Sequence, residues 1–180
     1  MKRTIHNPVL RDTVTFTSTS GESGGEFTEL EATVMPGGGN LPHFHKSFDE
    51  TVTIVEGVLT LVFNRSDELE LSAGQSYAIR AGLVHSFRNA TESVVRVYDR
   101  ITPGSEGFEN ALRIMYGLAG DGLYNERKMP RSVQHFAICA SISDTRLPGF
   151  MSVFNPLIDL LARLARWRGI EDQLRRKYCV

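Results

Sequence analysis

Gly37-Gly38-Gly39-Asn40-Leu41-Pro42-His43-Phe44-His45-Lys46-Ser47-Phe48-Asp49-Glu50-Thr51-Val52-Thr53-Ile54-Val55-Glu56-Gly57 is the stretch around which the chain is organised. Three groups with metal-ligand chemistry, His43, His45 and Glu50, stand between a glycine-rich turn and the single Gly57. Successive side chains of a β-strand point to opposite faces, so His43 and His45 face one way and Phe44 the other. Two imidazoles on one strand face make a poor start on a dry core and a good start on a metal site. His-x-His alone leaves the metal and structural readings evenly matched, because a lone strand histidine is more often a hydrogen-bonded structural residue.

On both sides of this stretch the sequence reads as β-structure. Short runs rich in Val, Thr, Ile and Phe recur at 13–17, 27–35, 49–55, 58–63, 69–71, 77–79, 85–88 and 93–101, separated by turn residues. A turn is expected at 64–67, and Gly57 closes a hairpin where the backbone must turn left-handed. About nine short antiparallel strands at this spacing specify a double-sheet jelly roll or a closed barrel. Glu50, Val52 and Ile54 should share the inward face with Phe87, and Leu59, Leu61 and Phe63 are further candidates for the lining.

A second stretch, Gly74 to Asn89, adds a fourth candidate ligand, His85. With it the sequence resembles the cupins, whose first motif is G-x5-H-x-H-x3,4-E-x6-G and whose second is G-x5-P-x-G-x2-H-x3-N. Gly37, His43, His45, Glu50 and Gly57 fit the first motif, and Gly74, Gly82, His85 and Asn89 fit the second; Arg80 stands where the second has proline. That proline shapes a turn and binds nothing. The resemblance covers about residues 27–101 and implies that His43, His45, Glu50 and His85 hold one divalent metal, Fe, Mn, Ni or Zn, inside a small β-barrel. Imidazole suits several first-row metals, and a carboxylate adds a hard anionic ligand. Three His and one Glu leave two octahedral positions open for water or substrate.

After Thr102-Pro103-Gly104 the period changes to that of helices. Phe108, Leu112, Ile114, Met115 and Leu118 mark a helix over 106–118, with Glu106 and Glu109 in its first turn, where the helix dipole favours acids. A second helix is expected from Pro130 to about 141, a third over 151–167 and a short fourth over 171–178. In the third, Phe154, Leu157, Leu161 and Leu164 form an apolar stripe widened by Val153, Leu160 and Trp167, with Arg163, Arg166 and Arg168 on the other side. Such a stripe packs on the barrel or on a second subunit; lying on an anionic membrane ranks behind that reading.

Bulk properties narrow the function classes. The chain has 180 residues, 41% of them hydrophobic, which suits one domain with a sizeable core. A formal charge of -1 gives no general attraction to nucleic acid, and no helix-turn-helix with a basic recognition helix is evident. Cys139 and Cys179 belong to no metal-spacing pattern and read as reduced thiols. No apolar run follows the basic start and no stretch approaches the roughly 18 apolar residues of a membrane span, so a cytoplasmic protein is expected.

The expected architecture is therefore a mainly β, cupin-type jelly-roll barrel over 1–102, followed by a helical extension over 103–180. The first functional expectation is a metal-dependent enzyme acting on a small molecule in the barrel, working as a homodimer. Oxygenase (dioxygenase-like) chemistry stands ahead of isomerase or lyase chemistry, and Glu50 doubles as a proton acceptor. No other acid or base stands out. The alternative is a non-catalytic ligand-binding or sensing module whose tail mediates assembly.

Overall fold

The computed structural model describes residues 2–64 and 66–180; the turn expected at 64–67 contains Arg65, which lies outside the described residues. Ten strands come first: β1 Thr4–Asn7, β2 Asp12–Ser18, β3 Thr28–Val34, β4 Phe44–His45, β5 Asp49–Glu56, β6 Val58–Phe63, β7 Asp67–Ser72, β8 Ser76–Ile79, β9 His85–Arg88 and β10 Val95–Thr102. They are followed by α1 Glu106–Gly120, α2 Val133–Ile142, the two-residue strand β11 Thr145–Arg146, a 3-10 segment Gly149–Phe154, α3 Asn155–Trp167 and α4 Ile170–Tyr178.

One sheet runs β1-β2-β3-β10-β5-β8 and a second runs β7-β6-β9, with every ladder antiparallel. The alternation of apolar side chains decides what lies between them. Val34, Val52, Ile54, Val95 and Val97 from the first sheet pack against Leu59, Leu61, Phe63 and Leu71 from the second in one buried cluster. The two antiparallel sheets face one another as a jelly roll. Gly57, at φ 85, turns β5 into β6; its Cα faces the Val94 carbonyl so closely that an added Cβ would lie 3.0 Å from that oxygen. The segment before β4 bridges β9 at Gly39–Arg88 and His43–His85, and β4 itself pairs with β11.

α1 covers β1–β3 on the same sheet face that carries Val34 into the inter-sheet cluster, and there Tyr116 joins Ile5, Val14, Phe16 and Leu30 in a second apolar cluster. Ser105 caps this helix by accepting from the Phe108 N–H. Glu109, expected only to complement the helix dipole, is buried and accepts from the Ser20 N–H at 2.6 Å and the Thr28 hydroxyl at 2.7 Å. One turn on, the Arg113 guanidinium lies 4.1 Å over the Phe16 ring. The docked helix is thus fastened by charge as well as by apolar area.

Three expectations for the tail differ from the structure. α2 starts after Pro130, because Ser132 caps it by accepting from the His135 N–H while Pro130 bridges Tyr124 in the preceding loop. The third helix is split: residues up to Phe154 wind as a 3-10 turn, and α3 begins where Pro156 fits the first turn. Its inward face also differs. Ile158, Ala162 and Ala165 are buried, whereas Leu157, Leu160 and Leu164 are exposed and Trp167 is 84% exposed. The small side chains let α3 lie close to α2, whose Ala137 and Ala140 share a cluster with Ile158 and Ala162. Among the described residues no helix is long and apolar enough to cross a membrane.

Candidate metal centre

The three histidines are brought together by backbone pairing. His43 and His85 exchange both backbone hydrogen bonds, at 2.9 and 2.8 Å, which sets their side chains beside one another with ring centroids 4.4 Å apart. His45, two residues on, returns to the same face, and its ring centroid lies 4.8 Å from that of His43. Glu50 reaches the group from the other sheet, where β5 pairs it with Ile79 and Ile101. Its Oε2 lies 3.3 Å from His85 Nε2 and 3.9 Å from His45 Nε2.

Hydrogen bonds fix which nitrogen of two histidines carries a proton. His43 Nδ1 faces the Leu41 carbonyl at 2.8 Å and His85 Nδ1 faces the Leu83 carbonyl at 2.9 Å. A carbonyl only accepts, so both Nδ1 atoms donate and both Nε2 atoms are turned inward. The His43 and His45 Nε2 atoms meet at 3.1 Å. His85 Nε2 is buried and makes no aligned hydrogen bond, despite its proximity to Glu50.

Burial sets the charges. Desolvation, helped by the charge on His85, presses His43 down to about 4; desolvation and His43 press His45 down to about 3. Desolvation would lower His85 too, but its close contact with the Glu50 carboxylate outweighs this and raises it. Desolvation would raise Glu50, but the same contact and the charge on His85 bring it to about 2. A neutral His43 therefore turns an electron pair toward the neutral His45 ring, beside an ionised carboxylate.

That arrangement fits a cation. One donor atom from each of His43, His45 and His85 lies within 4.8 Å of the others. Nitrogens bound to a single first-row ion at about 2.0–2.1 Å stand roughly 3–4 Å apart. The cluster opens onto a cavity of about 40 Å³ lined by Val52, Leu59, Leu61, Ile79, Phe87 and Val97, together with Glu50, His85 and Asp99. At about 10–15 Å³ per water it holds about three waters.

Asp99 corrects the expectation that no further acid would stand out. It is buried on β10 opposite Val52, and burial and then the neighbouring Glu50 raise its carboxyl well above the usual range. The signal was present: Val95, Val97 and Ile101 share its strand face, so an acid stood on a parity otherwise apolar. Around His45 two aromatic rings close in, Phe48 stacked at 4.4 Å and Phe108 of α1 edge-on at 6.0 Å. Nothing in the sequence pattern tied Phe108 to this ring.

Over residues 30–100 the chain matches the model of the cupin domain. It is similar to the HTH-type transcriptional regulator PuuR of Escherichia coli (strain K12), 42% identical over 55 residues, which are 31% of this chain and 29% of the regulator. The match therefore spans less than a third of that relative's length. Among solved structures, KdgF from Halomonas sp. superposes with a TM-score of 0.48 at 16% identity, over 53% of this chain and 82% of that one. An RmlC-like cupin from Shewanella frigidimarina superposes with a TM-score of 0.49 at 17% identity, over 58% and 86%.

Proposed function

We propose that the chain is a metal-dependent cupin enzyme acting on a small molecule, with His43, His45 and His85 as nitrogen ligands and Glu50 as the carboxylate ligand. The observation that carries this reading is the pair of inward Nε2 atoms at 3.1 Å, with Glu50 beside them and an apolar cavity behind. A divalent ion held there supplies Lewis acidity and open positions for a substrate oxygen. The surrounding side chains do the rest. Glu50 keeps its charge and serves as proton acceptor, Asp99 keeps its proton beside it, and the apolar walls exclude bulk water. Oxygenase chemistry remains ahead of isomerase or lyase chemistry in this reading. Metal analysis of protein purified without chelators, combined with oxygen uptake on candidate phenolics, tests it; His45→Ala with unchanged metal content would remove the site as drawn.

A second reading is a ligand-binding or sensing module in which two copies assemble through the extension, and the limited similarity to a transcriptional regulator supports it. The specific observation is the exposed row Leu157, Leu160, Leu164 and Trp167 on α3. Its 3-4-3 spacing reads the same in both directions. An antiparallel two-fold pairing would set Leu160 on the partner's Leu164 and Leu157 on the partner's Trp167. Leu160→Asp with Leu164→Asp should convert a dimer to a monomer on sizing; a wild type that is already monomeric would remove this reading.

A further inference from the structure

Two of the three histidines are oriented by the backbone just before them, and the third is not. His43 and His85 use the carbonyls of Leu41 and Leu83, two residues upstream in each case. His45 Nδ1 instead faces the Thr145 hydroxyl at 3.3 Å, 100 positions down the chain. Thr145 arrives there because β11 pairs with β4, setting Thr145 opposite His45 and Arg146 opposite Phe44.

The hydrogens along this contact can be counted. Ser143 Oγ lies 2.7 Å from the Cys139 carbonyl, which can only accept, so the one hydroxyl hydrogen of Ser143 is committed to it. Toward Thr145 Oγ1, at 2.8 Å, Ser143 Oγ can then only accept, and Thr145 gives its hydrogen there. Thr145 Oγ1 has lone pairs alone to offer the imidazole, so His45 Nδ1 must carry the hydrogen. In a neutral imidazole that leaves Nε2 bare, aimed at His43 Nε2. The polarity of the chain starts at Cys139, in the last turn of α2.

We infer that Thr145, locked by Ser143 at the end of α2, is a positioning residue that fixes the tautomer and rotation of the His45 ring, making the helical extension a working part of the metal centre. The inference rests on the three-histidine reading above. The aromatic contacts of Phe48 and Phe108 confine the plane of the ring, but they do not choose which nitrogen is protonated. The hydroxyl relay makes that choice, with the Ser143 backbone carbonyl beside it as a second acceptor for the ring N–H. Hydrogen-bond partners of metal-bound histidines typically contribute about 10- to 100-fold in metal affinity.

The experiment measures zinc affinity by chelator competition on the full chain as wild type, Thr145→Val and Thr145→Ser, and records imidazole nitrogen NMR spectra of the zinc-free proteins. Thr145→Val keeps the shape of the side chain and removes the oxygen. It should bind zinc about tenfold more weakly or worse, while Thr145→Ser stays within about twofold of wild type. His45 should show the Nδ1–H pattern in wild type and Thr145→Ser, and mixed tautomers in Thr145→Val, with His43 and His85 unaltered as internal controls of folding. Unchanged zinc affinity and an unchanged His45 spectrum in Thr145→Val would overturn the inference. A wild type that binds no zinc while its His45 is a fixed Nδ1–H tautomer would overturn the metal reading and leave the relay standing. A wild-type His45 protonated at Nε2 would overturn the relay itself.

Discussion

Asp99, buried on β10, and Glu50, part-buried on the neighbouring β5, face each other as two carboxyl groups whose acidities are driven apart. Glu50 is ionised by its histidines, and burial beside that charge keeps Asp99 protonated. The proton on Asp99 is thus available to hydrogen-bond Glu50. Asp99→Asn preserves a donor of the same shape and should unfold in urea close to the wild-type midpoint. Asp99→Ala leaves the part-buried Glu50 without that donor and should lose about 1–3 kcal/mol.

Metal uptake should release protons in a predictable number. His43 and His45, at about 4 and 3, are already neutral near pH 6.5, and Glu50 at about 2 is already ionised. His85, raised by Glu50, is the group that must give up a proton for its Nε2 to bind an ion. Calorimetric titration with zinc in buffers of different ionisation enthalpy should report more than about half a proton and no more than about one released per ion at pH 6.5. Removal of the metal by a chelator should lower thermal stability, by about 2.7 kcal/mol where free metal had stood at 100 times the dissociation constant.

Asp12 should make stability fall as pH rises through weak acid. It is buried, accepts from the Tyr116 hydroxyl at 2.7 Å through one oxygen, and leaves the other without a partner. Burial carries its carboxyl from 3.8 up to about 6. A raised carboxylate favours the folded chain while protonated: its contribution is full below about pH 3.8 and is lost as pH rises through about 6. The loss is on the order of 3 kcal/mol. Urea unfolding of wild type and Asp12→Asn across pH 4 to 7 should show that the variant lacks this component of the slope.

Gly107→Ala pits two effects against each other. Ala exceeds Gly by about 1 kcal/mol in an unhindered helix interior. At this position, however, a Cβ would stand 1.9 Å from the Ile142 carbonyl oxygen at the end of α2. That atom is backbone and cannot swing aside, so the two helices must separate. The contact wins, and thermal melting should show a net loss of about 3 kcal/mol.

Some of this was legible in the sequence for physical reasons. Strand alternation is a two-residue period, so His43, His45, Glu50, Val52 and Phe87 could be assigned to one interior before any coordinates. Asp99 obeyed the same period and was passed over because an isolated acid in a strand is usually solvated. α3 was misread because an apolar stripe is normally taken as the inward one, whereas close helix packing selected the small Ala162 and Ala165 and left the larger leucines outside. Ser143 and Thr145 gave no signal at all. A two-residue strand carries no period, and its partner lies 100 residues away.

The pairing of β11 with β4 also orders events in time. A chain synthesised from its N-terminus has His43, His45, Glu50 and His85 in hand long before Thr145 exists, and translation at about 5–20 residues per second leaves a gap of several seconds between them. During that gap the sheets can close around a histidine still free to turn over. A ribosome-bound fragment halted before α2 would carry all four candidate ligands and a slack grip on metal. On the metal reading proposed above, completion of the tail would convert that loose pocket into a fitted one, and the newborn sheets and the finished chain would differ in their claim on the cell's metal pool.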